Sequence, residues 1–165
     1  SRMGDRITWV EESFQLSNRL YLCSAAGIDP HFSCKDSTLC TLADGVMVPD
    51  DFSHEQSMVL ETGQGLVVLN SCCHGGVVNI VKGVLDQFPG QRVYALLGGL
   101  HMLSPGANAL NCPPDYVRQV AAALLELGVE HLWTGHCTGP AAFALLKEEL
   151  GARVEPLTGG MRLGI

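Results

Sequence analysis

From residue 57 the apolar positions fall into runs whose spacing switches between two kinds. "SMVLET" (57–62) and "GLVVLN" (65–70) are short, rich in β-branched residues and linked through "GQG" (63–65), which predicts two strands joined as a hairpin. In "GGVVNIVKGVLDQF" (75–88) the apolar residues Val77, Ile80, Val81, Val84, Leu85 and Phe88 recur at helical spacing. "RVYALLGGLH" (92–101) is a buried strand running into Gly98 and Gly99. "PPDYVRQVAAALLELG" (113–128) opens on proline, repeats Val117, Val120, Leu124 and Leu127, and stops at Gly128, which predicts a second helix. "VEHLWTGH" (129–136) is another strand, and "GPAAFALLKEELG" (139–151) a third helix closed by Gly151. "RVEPLTGGMRLGI" (153–165) ends the chain with one or two short strands.

The predicted order over 57–165 is ββαβαβαβ, an α/β fold with helices packed on a mixed sheet. Residues 1–56 read as a loop-rich stretch with short strands at "RITWV" (6–10) and "LYLCSA" (20–25). "GIDPHFSCKDSTLCTLADG" (27–45) carries turn formers and little periodicity, so it is expected as a loop. With no internal repeat or linker, 1–165 is taken as one domain.

Composition narrows the function. Hydrophobic residues make up 47% and charged residues 16% of the chain, enough for a sizeable core and too apolar for disorder. A net charge of −7 argues against a nucleic-acid partner, which needs a basic face. No apolar run reaches membrane-spanning length and no signal peptide is visible, so a cytoplasmic location is expected. The seven cysteines are scattered, and no Cys-x-x-Cys pair occurs. Most fit the role of small buried hydrophobes, and reduced thiols are expected. Cys34 and Cys40 could bridge or bind metal, although their spacing matches no strong motif.

Three predicted strands end alike. "VVLNSCCHGG" ends at His74, "YALLGGLHM" at His101 and "HLWTGHCTGP" at His136, each beside small residues. In open α/β sheets, sites gather outside the carboxyl ends of strands. A lone loop histidine is usually an ordinary surface residue; three strand-end histidines among the six in the chain point to a shared site. Imidazole and the neighbouring thiols Cys72 and Cys73 suit zinc or iron. In "VPDDFSHEQS" (48–57), Asp50, Asp51 and Glu55 are either a solvated loop or the source of a hard ligand or general base. A thiol nucleophile at Cys137 is the weaker use of "TGHCTG". His31 and His131 lack such context, and His131 is expected at the edge of a strand. Nucleotide-binding glycine loops and the Gly-x-Ser-x-Gly motif are absent from the sequence.

"DDFSHEQSMVLETGQGLVVLNSCCHGGVVNIV", "LLGGLHM" and "LGVEHLWTGHCTGPAAFALLKEELG" together resemble the metallo-β-lactamase superfamily. Within it they are similar to the ribofuranosylaminobenzene-phosphate dihydropterin synthase-like branch. That branch shows Asp-Asp-x-x-x-Glu-Gln, Gly-Cys-Ser-His-x-Gly, Gly-Gly-Phe-His-Leu and His-Cys-Thr-Gly segments. Here Ser71, Cys72, Cys73 and His74 stand for Gly-Cys-Ser-His, and Leu100 for the phenylalanine. The superfamily's His-x-His-x-Asp-His signature is absent, so the resemblance is to the C-terminal half of an αβ/βα sandwich. It implies a fragment lacking the N-terminal metal-binding half, a half supplied by another chain, or a degenerate metal site.

The resemblance also implies roles. His74, His136, Cys72 and Asp51 would be metal ligands, and His101 and Asp51 catalytic, His101 as an acid or phosphate contact. The cofactor would be a divalent metal, zinc first, with iron or manganese as alternatives. The expected activity is a hydrolase or transferase acting on a small, phosphorylated substrate through a metal-activated water. The alternatives are a non-catalytic binding or oligomerisation module, working as a homodimer or with a complementing N-terminal half, and a thiol-based redox or metal-storage protein.

Overall fold

The computed structural model describes residues 4–24, 29–33, 35, 38–104 and 106–164. Among them, strands β1 (Phe14–Ser17), β2 (Leu20–Ser24), β5 (Gln56–Thr62), β6 (Gly65–Leu69), β7 (Val93–Gly98), β10 (His131–Thr134) and β11 (Val154–Pro156) form one sheet. Its order is β1-β2-β5-β6-β7-β10-β11. The first four strands run antiparallel in succession, and β6, β7, β10 and β11 are parallel. The parallel strands are joined through helices α1 (Val77–Gln87), α2 (Pro114–Glu126) and α3 (Gly139–Leu150). The expected α/β fold with a mixed sheet is the observed one.

The helices form where the apolar stripes predicted them. Val77, Ile80, Val81 and Val84 of α1, Val117, Val120 and Leu124 of α2, and Ala142, Leu146 and Leu150 of α3 are buried. They share a single core with Val59, Leu66, Val68, Leu96, Leu132 and Val154 from the strands. All three helices therefore lie on one face of the sheet. Alternate strand residues point to the other face. There Val67, Ala95 and Trp133 form a small cluster with the partly buried Tyr94, Leu97, Leu157 and Leu163. Toward β2 that face is open: the cross-strand pair Met58 and Leu69 is 40% and 37% exposed.

The sequence reading and the structure part in four places. "RITWV" is not a strand; a 3-10 turn at Gly4–Arg6 leads into irregular backbone, and Trp9 projects into solvent. The edge strand is instead β1, exposed along its length and, among the described residues, paired with β2 alone. The stretch expected as a loop ends in the first strand and turn of a hairpin, β3 (Cys40–Ala43), which pairs with β4 (Val46–Pro49) just beyond it. Its turn residues Asp44 and Gly45 have φ 50° and 80°, the left-handed pair a tight hairpin needs. A second small hairpin, β8 (Leu103–Ser104) with β9 (Ala109–Leu110), follows β7. Cys34 lies outside the described residues, and Cys40 is an exposed free thiol.

Candidate metal site at the strand tips

The carboxyl ends of β6, β7 and β10 lie side by side, because these strands are parallel neighbours in register: Leu69 faces Leu97, and Thr134 faces Gly98. Each strand ends in a tight turn, and the turns are tied together. The Asn70 amide N–H donates to Leu97 O at 3.0 Å, and Gly99 N–H to Ser71 O at 2.9 Å. The buried Thr134 hydroxyl donates to Gly98 O at 2.7 Å. Thr138 Oγ1 lies 2.6 Å from Thr134 Oγ1 and accepts from Leu100 N–H at 2.9 Å. Met102 N–H closes onto Cys137 O at 2.9 Å.

Two acidic or amide side chains shape the β6 turn. Asn70 Oδ1 accepts from the amides of Cys72 and Cys73 at 3.1 and 2.8 Å, while its Nδ2 donates to Ser57 Oγ at 2.8 Å. Glu55 receives His74 N–H on Oε1 at 2.8 Å and Gly75 N–H on Oε2 at 2.7 Å. Both carboxylate oxygens of Glu55 are thus engaged in holding the loop. Gly76, at φ 94°, brings the backbone against Phe32, where an added Cβ would sit 1.7 Å from the Phe32 carbonyl oxygen.

Backbone strain concentrates at this rim. Phe52, Cys73, His101 and His136 have φ 55°, 53°, 48° and 51°, each in the left-handed region that ordinary residues avoid at a cost of about 1 kcal/mol or more.

The side chains form two adjoining groups. In one, a ligand atom of each of Cys72, His136 and Cys137 lies within 4.8 Å of the others. Cys137 Sγ accepts from His101 N–H at 3.2 Å and lies 3.8 Å from Cys72 O. In the other, the rings of His74 and His101 meet edge to face with centroids 4.4 Å apart, and Phe52 lies 4.9 Å from His74. Burial, reinforced by His101, holds the His74 imidazole below its ordinary pKa. Burial pushes the Cys137 thiol up to about 12 and the Cys73 thiol well above the usual range.

Of the residues singled out by sequence, Cys72 and His136 come together, and His74 and His101 come together. Asp51 stands outside both groups. It is exposed, and its Oδ1 accepts from Ser53 N–H at 2.9 Å, a bond that lowers its pKa. It is nonetheless the neighbour of Phe52, whose ring covers His74. His131 opens β10 at the far end, between Tyr94 and Trp133. Sequence reasoning missed the structural role of Glu55 and gave Cys137 only a minor part; its position after His136 was the available signal. Two thiols and an imidazole are a donor set suited to zinc or iron, so the residues fit a borderline-soft divalent cation.

Beside the tips an open concavity of about 810 Å³ is lined by Leu22, Met58, Leu69 and Leu97 on the free sheet face and by Ser71 and His136 at the rim. No helix among the described residues is long and apolar enough to cross a membrane.

No protein-family model matches the chain. Over 122 residues it is 31% identical to the 7,8-dihydropterin-6-methyl-4-(β-D-ribofuranosyl)-aminobenzene-5′-phosphate synthase of Methanocaldococcus jannaschii, a match over 74% of this chain and 39% of that protein. A solved structure described as a metal-dependent hydrolase of the β-lactamase superfamily superposes with a TM-score of 0.81 and 26% identity, over 95% of this chain and 57% of the other. The chain thus spans well under two thirds of either relative.

Proposed function

Taking as premise that the chain belongs to the metallo-β-lactamase superfamily, we propose that it forms part of a metal-dependent hydrolase or transferase acting on a small, phosphorylated substrate. The observation that carries this reading is the convergence of Cys72, His74, His101, His136 and Cys137 at three neighbouring strand tips beside a concavity. A bound divalent cation would activate water and polarise a phosphate oxygen there. Zinc is favoured by the donor set, with iron or manganese as alternatives.

The chain's own residues do the remaining work. Cys72 and His136 are assigned as ligands and His74 as the donor of a neighbouring position; Asp51, the remaining expected ligand, stands outside both groups and would have to swing in to join it. His74, kept neutral by burial, retains a lone pair for a cation or a proton. His101, packed on His74, is assigned as the acid or phosphate contact. Asp51, held ionised by the Ser53 amide, could serve as a base at the rim. Glu55 and Asn70 keep the loop in place without entering the chemistry. The synthase named above makes a phosphorylated product, which supports a phosphate-bearing substrate here. Free thiols at a working site fit a reducing, cytoplasmic setting.

The test is metal content by elemental analysis, with hydrolysis of a phosphodiester such as bis(p-nitrophenyl) phosphate. The protein should retain about one divalent ion, and both activity and metal should fall in His136→Ala. A protein that carries no metal and hydrolyses nothing after loading with zinc, iron or manganese would refute the reading.

A second reading rests on the exposed pair Met58 and Leu69, which leaves an apolar sheet face uncovered. In it the domain is a non-catalytic module whose face is covered by a second copy or by a complementing N-terminal half. Sedimentation across a concentration series distinguishes the two: a tight, metal-free dimer without hydrolytic activity favours the module.

A further inference from the structure

Cys137 is no part of the ligand set implied by the resemblance, yet its sulfur stands among the donors gathered at the rim. Its ligand atom and those of Cys72 and His136 are mutually within 4.8 Å. In a tetrahedral zinc site the same donors stand roughly 3.5–3.8 Å apart, so closure requires shifts of about 1 Å, within reach of side-chain rotation. The surroundings are built to receive a sulfur at this place. Gly99 has no side chain where a Cβ would lie 2.4 Å from Cys137 Sγ. The His101 backbone N–H points at that sulfur from 3.2 Å, the type of outer contact that stabilises a metal-bound thiolate. His74 is turned to His101 instead, with its backbone fixed by Glu55.

We propose that Cys72, His136 and Cys137 form a soft, three-donor cation site of their own, which selects zinc-class ions over manganese or magnesium and leaves a further coordination position open to the concavity. This rests on the metal-dependent reading above and refines it by separating the thiolate position from His74 and Asp51. Binding converts two thiols to thiolates, and both protons pass to the solvent. Two sulfurs and one nitrogen discriminate strongly against hard cations, which prefer carboxylate and water. His136 lines the concavity, so a ligand entering it could reach the ion.

The test titrates the reduced, metal-free protein with Cd(II) and Co(II) and follows thiolate-to-metal charge-transfer absorption, with Mn(II) as competitor. One equivalent should saturate the band. Cys72→Ser and Cys137→Ser should each lose about half its intensity and weaken binding by at least roughly 10-fold, the lower bound of what losing even an outer contact costs. Cys40→Ser, which removes an exposed thiol elsewhere, should leave the band intact. A circular dichroism spectrum matching wild type confirms that each serine variant is folded; should Cys137→Ser fail to fold, Cys137→Ala and the Cys72→Ser result decide. The proposal falls if no charge-transfer band appears, if Mn(II) competes on equal terms, or if Cys137→Ser binds as wild type does. Metal lost in His74→Ala but kept in Cys137→Ser would overturn this site and leave the hydrolase reading standing. An intact band in a protein without hydrolytic activity would do the reverse.

Discussion

The imidazoles of His74 and His101 stand at right angles, ring centroids 4.4 Å apart, although they come from the tips of different strands. Two such rings cannot both carry a proton without repulsion, and His74 is already disfavoured as a cation by burial. Burial and the neighbouring ring thus both disfavour a proton on His74.

Replacing His101 by asparagine should consequently raise the His74 pKa, since it removes the neighbouring ring and opens the pocket. Two-dimensional NMR of the histidine ring protons against pH, in metal-free protein, reads this directly. An unchanged or lower His74 midpoint in His101→Asn would show that the contact does not act on the proton.

Glu55 is a loop staple with both oxygens occupied by the amides of His74 and Gly75. Hydrogen bonds to a charged acceptor are worth about 1.5–3 kcal/mol each, and the group is partly solvated. Glu55→Ala should lower stability by about 2–4 kcal/mol in urea unfolding. Glu55→Gln, which keeps one good acceptor, should cost about half as much. A loss below about 0.5 kcal/mol in Glu55→Ala would remove it from this role.

Gly99→Ala places a methyl group where Cys137 Sγ now lies, at 2.4 Å, and 3.1 Å from Ser71 O. A side-chain sulfur can move, so the expected cost is moderate, about 1–3 kcal/mol. Displaced from its half-buried position, the Cys137 thiol should also react faster with an alkylating reagent. Mass spectrometry of the modified peptide checks this, and unchanged reactivity would show that the glycine has no bearing on the sulfur.

Alkaline pH should destabilise the fold through its buried thiols. Burial pushes Cys23 from an ordinary value near 9 to about 11, and Cys73 moves in the same direction. The folded Cys23 thiol holds its proton more tightly than the unfolded one. The stability this represents is whole below pH 9 and is lost as pH rises through 11, about 1–2 kcal/mol for Cys23. Cys23→Ala should flatten the alkaline limb of a plot of unfolding free energy against pH, and an identical limb in both proteins would count against the assignment.

How far the sequence revealed this arrangement depended on how much packing was needed to decide each part. The helical stripe of Val77, Ile80, Val81 and Val84 and the strand run of Val67 and Val68 carry their own period, so α1 and β6 could be read directly. The β3–β4 hairpin could not, since its strands are short and exposed and only Asp44-Gly45 marks the turn. The strand tips were legible because histidines followed small residues at the ends of apolar runs. Which donors meet was not, because that depends on backbone angles. His101 and His136 both take left-handed φ, which turns their side chains in directions that spacing alone does not encode. The same torsions bring Cys137 toward Cys72 and leave His74 facing His101.

His131 and His136 test the distinction between structural and functional histidines within one short segment. His131 begins β10, stacked on Trp133 at 5.3 Å and edge-on to Tyr94 at 5.0 Å, on the sheet face away from the helices. Its removal should cost about 0.5–1.5 kcal/mol of aromatic packing and leave bound metal unchanged. His136 is exposed and buries little, yet holds φ at 51°, a conformation that glycine adopts without penalty. In metal-free protein His136→Gly should therefore be more stable than wild type by about 0.5–1 kcal/mol, while His136→Ala stays within about 0.5 kcal/mol of it. Both variants should lose metal. Thermal unfolding and elemental analysis on the same samples supply the readout. Strain carried by an exposed side chain that contributes little to stability is expected where that side chain serves a ligand, and retention of metal in both variants would show that His136 has no such role.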